Sequence, residues 1–512
     1  MTGDLGIVLA SAAARHAGAV AVVDGPRRVS YGELAARVAR LGGLLDELGV
    51  AEGGRVGVLT HNSLAHLEWT LGAPAQGRVV VSLNIRLAED ELAALAADAG
   101  LEALLADATH AGTAARLAAR CPGLRALLID DGSYEARLAG ARPAEPRARG
   151  GLAAISYTGG TTGRPKGVML SHENLLANAR HNAESVGHAA DQRWLHVCPM
   201  FHVAGTANVL AATVAGARQV VLPRFDAGRV LATIEHEQIT HVVLVPTMLQ
   251  MLLEHPAFAE AGLASLRHVQ YAASPIDPEL QRRVLDALAC EVEQFYGMTE
   301  AAPTVSRLSA EEHRRGRAGE VPFDRRLWSV GRPVCGVEVE IRAPGGGRAA
   351  VGEVGELCVR GPNVMLGYWQ RPQETAAALV DGWYRTGDAG YADEGGYLFL
   401  VDRLKDMIVT GGENVYSAEV ERALCDHPRV REAAVFAVPD ARWGEAVHAV
   451  VVTDGALDEH ELLEHCRARI AGYKVPRGLE LRREPLPRSG AGKVLKHVLR
   501  QPWWAGRERQ VS

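Results

Sequence analysis

The segment ISYTGGTTGRPKGVMLSHENLL, residues 155–176, concentrates glycine and threonine ahead of a lysine. Glycines let several backbone N–H groups converge on one anion, threonine hydroxyls add donors, and Lys166 adds a positive charge. The segment therefore predicts a strand, a phosphate-binding loop and a helix that opens at Ser171 with Glu173 in its first turn. A plain surface turn is the alternative, and the threonines weaken it. The spacing matches neither a Walker loop nor a dinucleotide-binding fingerprint.

Several other chemistries lack their motifs in this sequence. No serine lies in a Gly-x-Ser-x-Gly nucleophile elbow, so a hydrolase triad has little support. The stretches HEQITH and HELLEH place their histidines five residues apart, not the four of a His-Glu-x-x-His zinc helix. The seven cysteines are scattered without a Cys-x-x-Cys pair, which indicates neither a disulfide framework nor a zinc site.

Composition limits the class of protein. At 512 residues with 47% apolar and 23% charged residues, the chain suggests a folded protein of several domains or subdomains. A net charge of −6 argues against general nucleic-acid binding. No long uncharged apolar run predicts a membrane span, and the N-terminus lacks a basic signal-peptide start, so we expect a cytoplasmic protein. Residues 474–500 are locally basic, either as a solvated tail or as a binder of anionic groups.

The elements that must position this chemistry alternate along most of the chain. Short apolar strands such as GRVGVLT and HVVLV alternate with helical patterns such as EDELAALAADAG, which predicts α/β architecture with largely parallel sheets. From about residue 331 the pattern turns β-rich and predicts a smaller antiparallel subdomain. After residue 402 short α/β elements return. We therefore expect a large domain over residues 1–402 and a small α+β domain over 403–512.

Further polar or Gly-rich stretches follow in a definite order: CPMFHVAG, YAASPIDP, QFYGMTE, GWYRTGD, VDRLKDMIVTGGENV and PRSGAGKVLK. Together with the opening loop, they resemble the adenylate-forming superfamily, specifically acyl-CoA synthetases that act on fatty or aryl acids. The resemblance covers residues 20 to 500. It implies that a carboxylate attacks the α-phosphate of ATP to give an acyl-adenylate and pyrophosphate, and that the coenzyme A thiol then displaces AMP.

The resemblance implies roles around ATP. Thr158, Gly159, Gly160, Thr161, Thr162 and Gly163 would wrap the phosphates, with Lys166 reaching the departing pyrophosphate. Gly159 stands where the family usually has serine, so one hydroxyl donor is missing. Tyr296, followed by Gly297, would stack on adenine, Thr299 would donate to the α-phosphate, and Glu300 would bind Mg²⁺. The turn Ala273, Ser274 and Pro275 would lie along the adenine, and Asp388 with Arg403 would hold the ribose hydroxyls.

The resemblance also implies a small C-terminal domain that rotates as a mobile lid between the two half-reactions. Lys493 would bridge the carboxylate and the α-phosphate during adenylation. Lys405, where many relatives carry aspartate, would be the hinge. Gly411, Gly412 and Glu413 would then lie beside the pantetheine arm of coenzyme A. His202 resembles the gate near the acyl site and the thiol tunnel.

The acid and the acceptor stay open at this stage. The acyl pocket is expected to be largely apolar, which suits a fatty, aromatic or natural-product acid such as a terpenoid acid. One alternative is a stand-alone adenylating enzyme that loads the phosphopantetheine of a carrier protein. Another is a non-catalytic adenylate-binding protein, against which the presence of Lys493, Glu300 and Asp388 argues. A homodimer is left open.

Overall fold

The computed structural model describes residues 4–147, 150–158, 165–187, 189–403, 406–410, 413–440, 442–455, 457–488 and 494–505. The chain divides into two compact units. The first unit comprises Met1–Glu338 and Val359–Tyr384, and the second comprises Val339–Cys358 and Arg385–Ser512. The domain boundary between residues 402 and 403 stays a prediction.

The helices mostly bury an apolar face, whereas those at Pro372–Ala378 and Lys496–Arg500 contain no buried residue. In chain order they are α1 (Leu5–His16), α2 (Tyr31–Glu47), α3 (Leu64–Ala75), α4 (Glu89–Ala99), α5 (Ala111–Arg120), α6 (Ser133–Gly140), α7 (His172–Val186), α8 (Val203–Ala215), α9 (Ala227–Glu237), α10 (Pro246–Leu253), α11 (Pro278–Ala287), α12 (Ala310–Arg317), α13 (Phe323–Arg326), α14 (Pro372–Ala378), α15 (Ser417–Cys425), α16 (Glu459–Arg467) and α17 (Lys496–Arg500).

The strands are mostly short and apolar. In chain order they are β1 (Val20–Asp24), β2 (Arg27–Ser30), β3 (Arg55–Leu59), β4 (Val79–Ser82), β5 (Leu101–Asp107), β6 (Ala126–Asp130), β7 (Leu152–Thr158), β8 (Lys166–Ser171), β9 (Arg193–His196), β10 (Arg218–Val221), β11 (His241–Leu244), β12 (His268–Tyr271), β13 (Glu291–Gly297), β14 (Thr304–Leu308), β15 (Arg332–Pro333), β16 (Glu338–Arg342), β17 (Gly355–Arg360), β18 (Gly367–Tyr368), β19 (Leu379–Val380), β20 (Trp383–Ala392), β21 (Leu398–Arg403), β22 (Ile408–Thr410), β23 (Glu413–Val415), β24 (Val430–Asp440), β25 (Gly444–Thr453) and β26 (Gly478–Arg482).

Within the described residues these strands form four sheets. The first sheet has the order β15-β14-β13-β12-β11-β9-β10-β1-β2, and the second has the order β18-β8-β7-β4-β3-β5-β6. The third has the order β16-β17-β20-β19 with β21 beside β20, and the fourth has the order β23-β22-β25-β24 with β26 beside β25. The predicted α/β class, with mixed sheets and a β-rich part after residue 331, is confirmed.

The connection after the glycine-rich loop differs from the sequence-based expectation. The loop leads into strand β8, which pairs antiparallel with β7 from Leu152↔Ser171 to Thr158↔Lys166, and helix α7 begins only after β8. The expectation of strand, loop and helix was therefore wrong in one element. The reason lies in GVMLS, whose Val168 and Leu170 are fully buried in the sheet. Ser171 caps α7 as expected, by accepting a hydrogen bond from Asn174 N.

Candidate functional site

The first sheet brings three of the sequence-predicted segments to one edge. Strands β9, β11, β12 and β13 are parallel and adjacent in that order. Their carboxyl ends therefore lie along the same edge, which is where α/β sheets bind ligands. His202 follows β9, the turn Ala273–Pro275 follows β12, and the segment Tyr296–Glu300 begins at the end of β13.

The segment after β13 is a tight turn that requires glycine. A Cβ on Gly297 would lie 1.8 Å from the carbonyl oxygen of Pro303, and Met298 N donates to that same oxygen at 2.9 Å. Thr299 opens a single 3-10 turn, Thr299–Ala301, that presents Thr299 and Glu300 half-buried. Tyr296 retains 9% of its surface exposed. The turn thus holds the three predicted nucleotide-binding side chains within five consecutive residues.

Glu300 and Lys166 meet at one tyrosine that the sequence analysis did not single out. The Tyr368 hydroxyl donates to Glu300 Oε1 at 3.0 Å, and Lys166 Nζ lies 5.0 Å from the centroid of the Tyr368 ring. Burial, reinforced by the Glu300 carboxylate, raises the pKa of Tyr368, so its hydroxyl stays protonated and donates. Strand β18 carries Tyr368 and pairs with β8, which begins at Lys166. The structure therefore brings together a cation and a carboxylate from distant parts of the chain.

Lys166 also forms an ion pair with a carboxylate of helix α14. Its ammonium lies 2.5 Å from Glu374 Oε2, at the start of α14. Arg371 extends the network to Asp98 at 3.1 Å, and Asp98 accepts from the Tyr157 hydroxyl at 2.6 Å. Glu374, like Tyr368, was missed by sequence reasoning, because its local stretch PQETAAA is typical of an ordinary helix start.

The ends of the predicted phosphate loop are placed, although its centre is not. Thr158 ends β7 and pairs in register with Lys166 at the start of β8. Both side chains are half-buried. Gly159, Gly160, Thr161, Thr162 and Gly163 lie outside the described residues. The loop thus leaves and re-enters the second sheet through neighbouring antiparallel strands.

The predicted adenine turn contains a strained backbone position. Ala273 has φ +77°, in the left-handed region that alanine rarely adopts. Tyr271, the last residue of β12, is fully buried and bonds through its hydroxyl to His313 Nε2 at 2.9 Å. Such strain persists only where the surrounding structure enforces it, and it is common at ligand sites. Ser274 is half-buried and Pro275 is exposed.

His202 lies at the N-terminus of α8, in a segment held by a distant asparagine. The ring of His202 lies 4.6 Å from the ring of Phe201. Asn62 donates from Nδ2 to Cys198 O at 2.9 Å and accepts from Met200 N at 2.7 Å. Two hydrogen bonds from one buried amide therefore fix the path of the chain that leads to His202. The sequence offered no signal for Asn62.

The predicted ribose site lies in the second unit. Asp388 retains 4% of its surface exposed, within β20, and pairs in register with Arg403 of β21. Gly387 precedes it with φ +70°, and Asp388 N donates to Thr386 Oγ1 at 3.0 Å. The backbone of Arg403 is placed, whereas its side chain lies outside the described residues.

The residues predicted for the lid chemistry are only partly described. Lys405, Gly411, Gly412 and Lys493 lie outside the described residues, whereas Glu413 is exposed in β23. On either side of Lys493, Arg488 and Val494 form an antiparallel bridge. Lys496 donates to Ser417 Oγ at 2.6 Å and lies 2.7 Å from Glu421 Oε1. Burial opposes the charge on Lys496, but the carboxylates of Glu421 and Asp402 outweigh it and raise its pKa.

Part of the positive charge of the basic segment 474–500 is paired within the second unit. Lys474 lies 2.7 Å from Glu419 Oε1 and Arg488 lies 2.8 Å from Glu432 Oε2. Arg477 instead stacks over the ring of Trp443, at 4.7 Å from its centroid. Ion pairs therefore take up part of the local charge surplus seen in the sequence. In the part of the chain that the structure describes, no helix is both long and apolar enough to cross a membrane.

Comparison with known proteins finds similarity over nearly the whole chain. Residues 9–369 match the profile of the AMP-binding enzyme family, and residues 419–493 match that of the AMP-binding enzyme C-terminal domain. A feruloyl-CoA synthase of Amycolatopsis sp is 42% identical over 94% of this chain and 96% of its own length. A long-chain-fatty-acid CoA ligase of Mycobacterium tuberculosis is 36% identical over 93% and 94%. The crystal structure of ATP-bound MatB from Rhodopseudomonas palustris has a TM-score of 0.88 at 31% identity and covers 98% of this chain and 99% of its own.

Proposed function

The chain belongs to the AMP-binding enzyme family and is an AMP-forming acid–thiol ligase, and from this premise we propose that it joins an aromatic carboxylic acid to coenzyme A. The proposal names the acid class, the acceptor and the residues that act. The adenylation step is carried by the convergence of Lys166 and Glu300 on Tyr368, beside the strand ends that present the turn Ala273–Pro275 and His202.

In the first half-reaction, an oxygen of the acid attacks the α-phosphate of ATP, and the bond to pyrophosphate breaks. Lys166 and the loop after Thr158 neutralise the departing pyrophosphate, and Thr299 donates to the α-phosphate. Tyr296 contacts adenine, and Asp388 accepts the ribose hydroxyls. Lys493 bridges the carboxylate and the α-phosphate where negative charge builds up. Catalysis then consists of positioning and charge neutralisation, without a covalent enzyme intermediate.

Glu300 is suited to a divalent cation that accompanies ATP. Its carboxylate is half-buried and keeps one oxygen on the Tyr368 hydroxyl, and carboxylate oxygens are the ligands that Mg²⁺ prefers. When bound, Mg²⁺ would offset phosphate charge in the transition state. The role of Tyr368 is to hold the Glu300 carboxylate in one orientation.

In the second half-reaction, the thiol of coenzyme A attacks the carbonyl of the acyl-adenylate, and AMP leaves. Groups that crowd the carbonyl during adenylation must then clear a path, which we assign to rotation of residues 403–512 about Lys405. Gly411, Gly412 and Glu413 would replace Lys493 beside the reacting carbonyl. His202, at the start of α8, would border the path of the thiol.

A chain of buried amides connects the first sheet with helix α8. Gln270 lies on β12 and donates from its side-chain amide to Asn182 Oδ1 at 3.4 Å. Asn182 Nδ2 in turn donates to Asn208 Oδ1 at 3.3 Å. Asn208 lies on α8, the helix that begins beside His202. These amides are buried and already bond to one another, so the choice of an aromatic acid rests on the similarity to an aromatic-acid ligase, the feruloyl-CoA synthase that is 42% identical.

The deciding experiment is mass spectrometry of the products formed from ATP, Mg²⁺, coenzyme A and a panel of acids. The panel contains hydroxycinnamic, indoleacetic, short-chain, long-chain and terpenoid acids. We expect a hydroxycinnamoyl-CoA product. If a fatty or terpenoid acyl-CoA forms instead, the proposed acid class is wrong and coenzyme A is still the acceptor. If an acyl-adenylate forms but no acyl-CoA does, coenzyme A is the wrong acceptor and a carrier protein takes its place.

The assignment of Lys493 is tested by separating the half-reactions. Lys493→Ala should reduce adenylate formation by at least a hundredfold and spare thioester formation from supplied acyl-adenylate, because the ammonium acts only while charge builds at the α-phosphate. Lys474→Ala, in the same basic segment but paired with Glu419, is the matched control and should retain both half-reactions. Equal loss of both half-reactions in Lys493→Ala would contradict the alternating lid.

A further inference from the structure

A second cluster of chemically active side chains lies on the second sheet, apart from the residues proposed for ATP. Strands β3 and β5 are adjacent and parallel, so their carboxyl ends meet at one edge. His61 follows β3, Asp107 ends β5, and His110 ends the short 3-10 turn after it. One potential ligand atom from each of these three residues lies within 4.8 Å of the other two.

The cluster is centred on the Asp107 carboxylate. His61 Nδ1 lies 2.8 Å from Asp107 Oδ2, and His110 Nδ1 lies 2.7 Å from Asp107 Oδ1. The Thr109 hydroxyl adds a fourth donor, 3.2 Å from His110 Nδ1 and 3.5 Å from His61 Nδ1. The two imidazole rings face the same carboxylate with their centroids 5.1 Å apart. The two imidazole nitrogens, the carboxylate oxygens and the Thr109 hydroxyl oxygen thus lie close together.

The carboxylate is held in place independently of the two imidazoles. The backbone N–H groups of His61 and His110 donate to Asp107 Oδ2 and Oδ1 at 2.7 and 3.0 Å. Burial opposes ionisation, but the hydrogen bonds from Thr109 and from the backbone of His61 outweigh it and lower the pKa of Asp107, which keeps it charged at neutral pH. These backbone bonds do not involve the imidazole rings, and outer contacts of this kind orient the ligands of bound metals.

The place of the cluster in the fold is one where open α/β sheets bind ligands. In the order β4-β3-β5-β6, the chain runs from β3 to β4 on one side and returns to β5 on the other. Connections that leave in opposite directions open a crevice at the carboxyl ends of β3 and β5. The side chains of His61, Asp107 and His110 are 30%, 17% and 17% exposed, so water reaches the cluster. Strand β4 lies between β3 and β7, where the phosphate loop begins.

We propose that His61, Asp107 and His110 form a binding site for one divalent transition-metal ion, distinct from the Mg²⁺ that accompanies ATP. Each imidazole would bind through Nδ1 with its proton on Nε2, and Asp107 would supply one carboxylate oxygen. Two imidazoles with one carboxylate select Zn²⁺, Co²⁺ or Ni²⁺ over Mg²⁺ or Ca²⁺, which prefer oxygen ligands alone. Three protein ligands leave a position for water.

The test uses the full chain, stripped of metal with a chelator and dialysed, without ATP. Zn²⁺ is titrated calorimetrically, and Co²⁺ is followed by its visible absorption, in the wild type, His61→Ala and His110→Ala. His236→Ala, on the exposed surface of α9, is the matched control. We expect one ion per chain in the wild type, at least tenfold weaker binding in His61→Ala and His110→Ala, and no change in His236→Ala.

Each outcome decides for or against the site. Absence of saturable binding in the wild type overturns the proposal, as does equal affinity in the wild type and both cluster variants. Displacement of Co²⁺ by millimolar Mg²⁺ would contradict the proposed selectivity. Thermal unfolding of the metal-free variants checks that they fold. Failure of the acid panel under the proposed function would leave these binding results unaffected, because they are read without substrates.

Discussion

At the scale of single residues, Tyr368 links the two charges proposed to act on ATP. Its hydroxyl holds Glu300 and its ring lies beside Lys166, although Glu300 and Tyr368 are 68 residues apart in the chain. Neither the motif that contains Glu300 nor the loop that precedes Lys166 indicates this partner. The first two predictions therefore concern what surrounds the two charges.

Tyr368→Phe should lower kcat/KM for pyrophosphate release by about 10- to 100-fold, since a hydrogen bond to a charged group contributes about 1.5–3 kcal/mol. The loss should be partly reversed by raising Mg²⁺, because the substitution disorients the Glu300 carboxylate without removing it. Tyr391→Phe, whose ring stacks on Phe399 in the second unit, is the matched control. An unchanged kcat/KM in Tyr368→Phe would remove Tyr368 from the site.

Glu374→Gln should lower the KM for ATP by up to about fivefold. Glu374 forms an ion pair with the Lys166 ammonium and so competes with the phosphates of ATP for it. A partly exposed ion pair of this kind is worth about 0.2–1 kcal/mol. Steady-state kinetics at varied ATP measures the effect. Glu279→Gln, which breaks an exposed pair with Arg282, is the control. A higher KM in Glu374→Gln would mean that the carboxylate positions Lys166 instead of competing for it.

At the scale of elements, the turn between β13 and β14 depends on close backbone approach. Gly297→Ala would place a Cβ 1.8 Å from Pro303 O and force the turn open, which displaces Thr299 and Glu300. We expect a loss of about 2 kcal/mol or more in stability, as for other backbone clashes, and a larger fractional loss of adenylation. Thermal unfolding and pyrophosphate release measure the two effects.

The control for that substitution is Gly345→Ala, because a Cβ at Gly345 meets nothing within 4 Å. It should change neither the unfolding temperature nor the rate of pyrophosphate release. If Gly297→Ala behaves like this control, the turn tolerates a wider approach than the structure gives it.

At the scale of the whole molecule, buried neutral histidines couple folding to pH. Burial lowers the pKa of His196 to about 4, from an ordinary value of 6.5, and the His66 and His181 pKa values are lowered to about 4 for the same reason. The unfolded chain takes up these protons first. Stability is therefore complete above pH 6.5 and is lost as pH falls from 6.5 towards 4.

His196→Gln should make this acid sensitivity shallower by about 3 kcal/mol between neutral pH and pH 4, the amount that the lowered pKa of one group represents. Urea midpoints measured at several pH values in that window give the difference between variant and wild type. His236→Gln is the control, because its side chain is 79% exposed. Parallel pH curves for wild type and His196→Gln would show that His196 does not contribute.

Local patterns in the sequence determined the fold class and the family of this protein. Apolar periodicity predicted α4 and the α/β class, because the side-chain period of each element is set by its own backbone geometry. The ordered motifs indicated the family, because each motif is a short continuous stretch of the sequence. One element was mispredicted at the loop, where β8 follows Lys166 and α7 comes only after it. The pairing of β8 with β7, which a single stretch of sequence does not display, decided that outcome.

Only the tertiary structure decided which distant groups meet. Asn62 reaches Met200 across 138 residues, Glu374 reaches Lys166, and His61 meets Asp107 because β3 and β5 became neighbours. Each of these contacts depends on strand order and register, which arise from how whole elements pack against one another. A side chain's own neighbours in sequence carry no information about them, so contacts of this kind enter only when the chain has folded.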